Sequence, residues 1–175
     1  MQIDPQNNVS FFKSLFESGE NSEGFQQKIA DFYPAIVYIY DADQKKLRFV
    51  NKKLTDLLGY SYEDIEQLDN DLMKFVFEDD VSLVQAELDK FNTLKDNDTH
   101  TYNSRFNHKK GDWRYFRTQG TILRKNEKGN PSSLLLIAHD ITDQLQTEEE
   151  ARASRALLSE TEKLLHFGTW TWDTV

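Results

Sequence analysis

Three strand-like stretches follow one another in the second half of the chain: TYNSRFNH (101–108), DWRYFRTQGTILR (112–124) and SSLLLIAHD (132–140). KKGD and NEKGNP, both rich in turn-forming residues, separate them. Connections this short oblige each strand to pair antiparallel with its neighbour, which fixes half the fold before anything else is considered. Upstream, AIVYIYDADQKKLRFVN (35–51) reads as a hairpin, with β-branched and aromatic residues in both arms and DADQ as its turn. Short helical patterns lie between hairpin and meander. Leu54, Leu57 and Leu58 form one, closed by Gly59, and Ser61 with Asp64 begins another as a variant capping box. Val81, Val84, Leu88 and Phe91 make a third, with Asp79 or Asp80 available as its cap. The result is an α+β domain built on one antiparallel sheet. Ahead of it, Phe11, Phe12, Leu15 and Phe16 form a helical stripe with Ser10 as a possible cap and Gly19 as its stop; Phe25, Ile29 and Phe32 continue the stripe on a second helix.

With 175 residues there is room for one such domain and some additional helix. A net charge of −9 opposes a nucleic-acid surface. The absence of cysteine removes disulfides, thiolate metal sites and any chromophore attached through sulfur, and suits a reducing cytoplasm. No apolar run reaches the length of a membrane span, so direct membrane contact is not expected.

The last strand passes into a charged helical segment with no loop between them. Asp140, Ile141, Thr142 and Asp143 occupy the corner, where Asp140 or Thr142 can cap the helix and acids suit its positive end. Along the helix, Thr147, Ala151, Ser154, Leu158, Thr161 and Leu165 follow 4-3-4-3-4 spacing, a heptad seam that is small and polar in its first half. Such a seam pairs weakly with a second copy; a solvent-exposed tether is the plainer alternative.

These motifs, in this order, resemble a PAS domain, the sensory module of many bacterial signalling proteins, from about residue 30 to 143. VYIYD with LRFVN and LLGYSYEDI resemble the family's opening strands and helices. FEDD stands where His-Pro-Asp-Asp is usual, RFNHKKGDWRYFR is similar to the Arg-x-x-x-Lys-x-Gly pattern with Tyr115 in a common Trp position, and GNPSSLLLIAHDITD matches the last strand and Asp-Ile-Thr corner. The resemblance implies a five-stranded antiparallel sheet with short helices on one face, residues 1–29 as an N-terminal helical cap, and residues 144–165 as a signalling helix or coiled coil. LLHFGTWTWDTV resembles the start of a second PAS domain, so that residues 166–175, through Gly168, Trp170, Trp172 and Asp173, would be its truncated beginning.

A ligand in such a fold lies between sheet and helices. Alternation and family position give Val37, Ile39, Phe49, Leu58, Met73, Val76, Leu88, Phe106, Phe116 and Ile137 as its walls, most of them better suited to plain core packing than to ligand contact. The cofactor stays open. A cysteinyl flavin is excluded, and haem is disfavoured because the helix 81–91 lacks the histidine that similar sensors use. His100, His108 and His139 fall at strand ends or turns, where solvated histidines are ordinary. The expected function is therefore non-catalytic: a sensor whose ligand or partner displaces the last strand. Asp140, Ile141, Thr142 and Asp143 would pass that shift to a paired helix controlling an effector such as a histidine kinase. A homodimer through the N- and C-terminal helices is the expected assembly. A ligand-free dimerisation spacer is the alternative, and a small α+β cavity enzyme, which needs a buried acid or base, is a weaker third reading.

Overall fold

The computed structural model describes residues 5–17 and 23–167. The expected stop at Gly19 and the second-domain motif at Gly168, Trp170, Trp172 and Asp173 lie outside them. Five strands, β1 (Ile36–Asp41), β2 (Lys46–Val50), β3 (His100–Asn107), β4 (Trp113–Lys125) and β5 (Pro131–Asp140), form one sheet in the order β2-β1-β5-β4-β3. Every neighbouring pair is antiparallel. The strand last in the chain is thus the middle of the sheet, held by β1 on one side and β4 on the other.

Three short helices cover one face: α3 (Lys53–Leu58), α4 (Tyr62–Gln67) and α5 (Val81–Asp89). Gly59 ends α3 in a left-handed conformation, φ 75°, and its N–H closes on the carbonyl of Thr55 at 2.9 Å. α4 starts in the expected capping box: the Asp64 N–H donates to Ser61 Oγ at 3.2 Å, and the Ser61 N–H donates to Asp64 Oδ2 at 2.8 Å. The Lys109 ammonium, together with Ser61, holds the Asp64 carboxyl down to about 2. α5 departs from expectation, for no side chain caps it. Asp80 instead accepts from the Arg105 N–H at 2.7 Å, from Nε at 3.0 Å and from Nη2 at 2.5 Å. A two-oxygen pairing with a guanidinium is stronger than a helix cap, and Asp80 is drawn to β3 by it.

The opposite face is covered as well. α1 (Pro5–Glu17) lays Val9, Phe12, Leu15 and Phe16 over Val37, Leu123, Leu135 and Ile137. It begins at Pro5 and not at Ser10, because proline suits the first helical position. Its apolar stripe is therefore occupied by the chain's own sheet, leaving Phe11 exposed. α2 (Glu23–Phe32) does not continue that stripe: Phe25 and Phe32 are exposed, 47% and 90%, while Ile29 and Ala30 turn inward. Asn51 sets this orientation. Fully buried, it donates through Nδ2 to the carbonyls of Ala30 (2.7 Å) and Ala35 (2.9 Å) and accepts from the Val37 N–H (3.0 Å).

The chain divides after Asp140 into two compact units. The second holds α6 (Thr142–Phe167), 26 residues long and about 39 Å at 1.5 Å per residue. Residues 143–161 are exposed throughout.

Candidate functional site

Alternation along the strands divides their side chains between two cores. Ile36, Tyr38 and Tyr40 of β1, Leu134, Leu136 and Ala138 of β5, Phe116 and Ile122 of β4, and Tyr102 and Phe106 of β3 face α3, α4 and α5. Leu54, Leu58, Ile65, Phe75, Val84, Leu88 and Phe91 meet them from the helical side. Phe106 and Phe116 lie 5.1 Å apart, ring to ring.

Six of the ten expected wall residues reach this inner face: Leu58, Val76, Leu88, Phe106 and Phe116 are buried there and Met73 packs against them. Val37, Ile39, Phe49 and Ile137 do not. They belong to the other core, under α1, where Phe49 meets Phe16 edge-on at 5.0 Å. The error is one residue of phase. Because α1 buries the outer face, β1 and the middle of β5 are apolar on both sides, and period-two alternation loses its signal. Edge strand β3 keeps it: Thr101 and Asn103 are exposed and Arg105 half-buried, while Tyr102, Ser104 and Phe106 are buried. Carried through the register Tyr102↔Thr118↔Ala138↔Ile36, that phase identifies the inner residues of every strand but β2.

A cavity of about 380 Å³ opens at one end of the inner face, bounded by Tyr40, Leu88, Phe91 and Leu134. Burial, followed by the nearby Asp71, Asp89 and Asp41, pushes the Tyr40 phenol up to about 12. A second, of about 670 Å³, lies on the other side of the sheet between Phe16, Gln26, Phe49 and Leu123. Asp43 and Asp89 border the first and Asp41, paired with Arg48, the second, but no Asp or Glu is fully buried among the described residues.

The histidines are more engaged than expected. His100 Nε2 lies 2.5 Å from Glu87 Oε2 and its ring stacks on Tyr102 at 6.0 Å; His108 Nδ1 is 3.0 Å from Asp112. His139 packs edge-on to Tyr33 at 6.0 Å, and burial, then the Arg117 charge, lowers its pKa. Among the described residues there is no cluster of three potential ligands for a metal.

At the corner, Asp140 accepts from Arg114 Nη1 of β4 at 2.8 Å. Ile141 and Thr142 are buried, and α6 starts one residue after β5 ends. The Leu145 N–H reaches the Ile141 carbonyl at 3.0 Å, and Thr147 Oγ1 donates to the Asp143 carbonyl at 2.8 Å.

A five-stranded antiparallel sheet with short helices on one face agrees with what comparison finds. The family model of the PAS fold matches residues 47–138, more than half the chain. The chain belongs to the PAS fold family. PAS domains are sensory modules without catalytic machinery of their own. Among solved structures it is similar to a sensory box histidine kinase/response regulator from Burkholderia thailandensis (22% identity, TM-score 0.58, 79% of this chain and 99% of that one). It is also similar to a PAS domain from Colwellia psychrerythraea (20%, TM-score 0.55, 70% and 99%) and to the N-terminal domain of a diguanylate cyclase with a PAS/PAC sensor from Marinobacter aquaeolei (15%, TM-score 0.50, 63% and 97%). No curated protein matches. Lacking cysteine, this PAS domain cannot form a sulfur–flavin bond. No described helix is long and apolar enough to cross a membrane.

Proposed function

We propose that this PAS domain senses a ligand or partner and transmits the change from β5 through Asp140, Ile141, Thr142 and Asp143 to α6, which pairs with a second copy and sets the state of an effector such as a histidine kinase. One observation carries the reading. β5 is the central strand, contributes Leu134, Leu136 and Ala138 to the inner core, and runs into α6 with a single residue between them. Movement of the inner face therefore has a short covalent route out of the domain. The Arg114–Asp140 pair ties that exit to β4. α6 is suited to a partner helix: Leu158, on the heptad seam, is 62% exposed and its neighbour Leu157 66%. Similar structures described as a sensory histidine kinase and a diguanylate cyclase sensor support the effector class.

The cysteine-free sequence makes the test direct. A Leu158→Cys chain should cross-link to its twin under mild oxidation, and a Glu160→Cys chain, off the seam, should not. Adding Asp140→Ala and Thr142→Ala should change the cross-linking yield while leaving the domain folded. Equal cross-linking at both positions, or a yield indifferent to the corner substitutions, defeats the proposal. A fully packed inner face with normal dimerisation would favour the spacer reading instead.

A further inference from the structure

The cavity of about 670 Å³ lies on the face of the sheet opposite α3, α4 and α5, beside the N-terminal helices. Its floor is apolar: Ile39 of β1, Phe49 of β2 and Leu123 of β4, with Phe16 of α1 next to them. Ile39 and Phe49 pair across β1 and β2, yet both are only half-buried, while Val37 and Leu135 of the same core are fully buried. Apolar surface is thus left open to the cavity, and covering it with an apolar group would be favourable. Polar groups of both kinds border this floor. Arg124 and Ser133 stand opposite each other on β4 and β5, and neither side chain has an ion-pair or hydrogen-bond partner among the described residues. Gln26 and Gln27 of α2 have their amide nitrogens engaged, with the Leu15 carbonyl at 3.0 Å and Asp31 Oδ1 at 2.8 Å, which leaves their amide oxygens as acceptors. Asp41 is paired with Arg48 at 2.9 Å, but the Asp43 carboxylate, which borders this cavity too, has no basic partner among the described residues.

We propose that this outer-face cavity binds a small zwitterion with an apolar body, of which an α-amino acid with an apolar side chain is the simplest form. The class follows from the lining. Its charged groups are two guanidiniums, Arg48 and Arg124, and two carboxylates, Asp41 and Asp43, and only Arg48 and Asp41 satisfy each other. One cation and one anion are left over, so a guest carrying a single charge would answer one and face the other unmatched. A zwitterion answers both: its carboxylate accepts from Arg124 and Ser133, and its ammonium donates to Asp43 and to the glutamine oxygens. The apolar body then covers Ile39, Phe49 and Leu123, removing them from water. Such a guest would touch Phe16 as well, and so bear on α1. The inference rests on the sensory reading for its purpose and gives that reading a ligand, but the binding itself is measured without the relay.

The test titrates the full chain, with its leucine and isoleucine methyl groups labelled for NMR, with L-leucine and L-phenylalanine. The controls 3-phenylpropanoate and 2-phenylethylamine each lack one of the two charges. Saturable shifts of the Ile39 and Leu123 methyls, with those of Leu134 and Leu136 unmoved, are expected for a guest on the outer face. Arg124→Gln and Asp43→Asn, both at exposed positions, should each weaken binding about tenfold, and each control should bind weaker than L-phenylalanine by a similar factor. Four results overturn the site: no saturable shift with either amino acid, a control that binds as well as L-phenylalanine, shifts centred on Leu134 and Leu136, or an affinity unchanged in either variant. If binding fails while the Asp140→Ala, Thr142→Ala chain still alters α6 cross-linking, the relay survives and only this guest is lost. If binding succeeds while the corner substitutions leave cross-linking unchanged, the site stands and the relay falls.

Discussion

Asn51→Ala tests how the two layers of this domain are joined. The Asn51 side chain makes three hydrogen bonds to backbone groups, at Ala30, Ala35 and Val37, and it is fully buried. Its removal leaves one donor and two acceptors without that partner, at about 1 kcal/mol each. The expected loss is roughly 3 kcal/mol, or a fall in Tm of roughly 6–12 °C for a domain of this size. Urea denaturation followed by far-UV circular dichroism measures the total. Hydrogen exchange locates it, because the Val37 amide should lose protection before amides in the middle of β4. Asn51→Asp sharpens the case: it keeps an acceptor for Val37 but turns a carboxylate toward two carbonyls, so it should be no better than alanine at neutral pH and should recover as the carboxyl protonates. A loss below about 1 kcal/mol in Asn51→Ala, with the Val37 amide still protected, would refute the assignment of Asn51 as the clamp between α2 and β1.

Gly120→Ala should destabilise by about 1–3 kcal/mol, because the new methyl meets Phe91 at 2.9 Å and the Leu135 carbonyl oxygen at 3.1 Å; urea midpoints check it. Ser61→Ala should cost about 1 kcal/mol by opening the α4 capping box, measured the same way. The Asp80 pKa is lowered, chiefly by its hydrogen bond to the Arg105 guanidinium. That pair therefore stabilises the fold above pH 3.8, the carboxyl's ordinary value, and the contribution fades as pH falls through the lower folded value. Asp80→Asn should flatten this part of the acid-unfolding profile.

Local chemistry was readable wherever a residue's partners lie nearby in sequence. The Ser61–Asp64 box, the Gly59 stop and the turns that order β3, β4 and β5 all follow from neighbouring residues. Where the deciding partner is distant, the sequence misleads. Asp80 looks like a cap until Arg105, 25 positions later, takes its carboxylate. Phe25 and Phe32 look like a stripe until Asn51 fixes α2 another way. Four of the ten candidate walls, Val37, Ile39, Phe49 and Ile137, fall on the outer face for a related reason. Residues 134–138 are all apolar and all buried, so nothing within β5 marks Leu136 as inward and Ile137 as outward. That information sits in β3, two strands away, and needs the pairing register to be carried across.

The same one-residue phase bears on how a signal could enter. On β1 and β5, consecutive side chains belong to different cores: Tyr38 and Leu136 inward, Val37 and Ile137 outward beneath α1. Close packing transmits displacement, so β5 cannot shift for a guest on one face without moving the contacts on the other. α1 is therefore part of what β5 pushes against, a second load on the strand that feeds α6. In the proposed relay, the N-terminal helices, by covering the outer face, would add to what β5 must move. On the proposed relay, a stimulus that loosened α1 would reach Asp140 through Leu135 and Ile137 as directly as a change on the inner face would through Leu136.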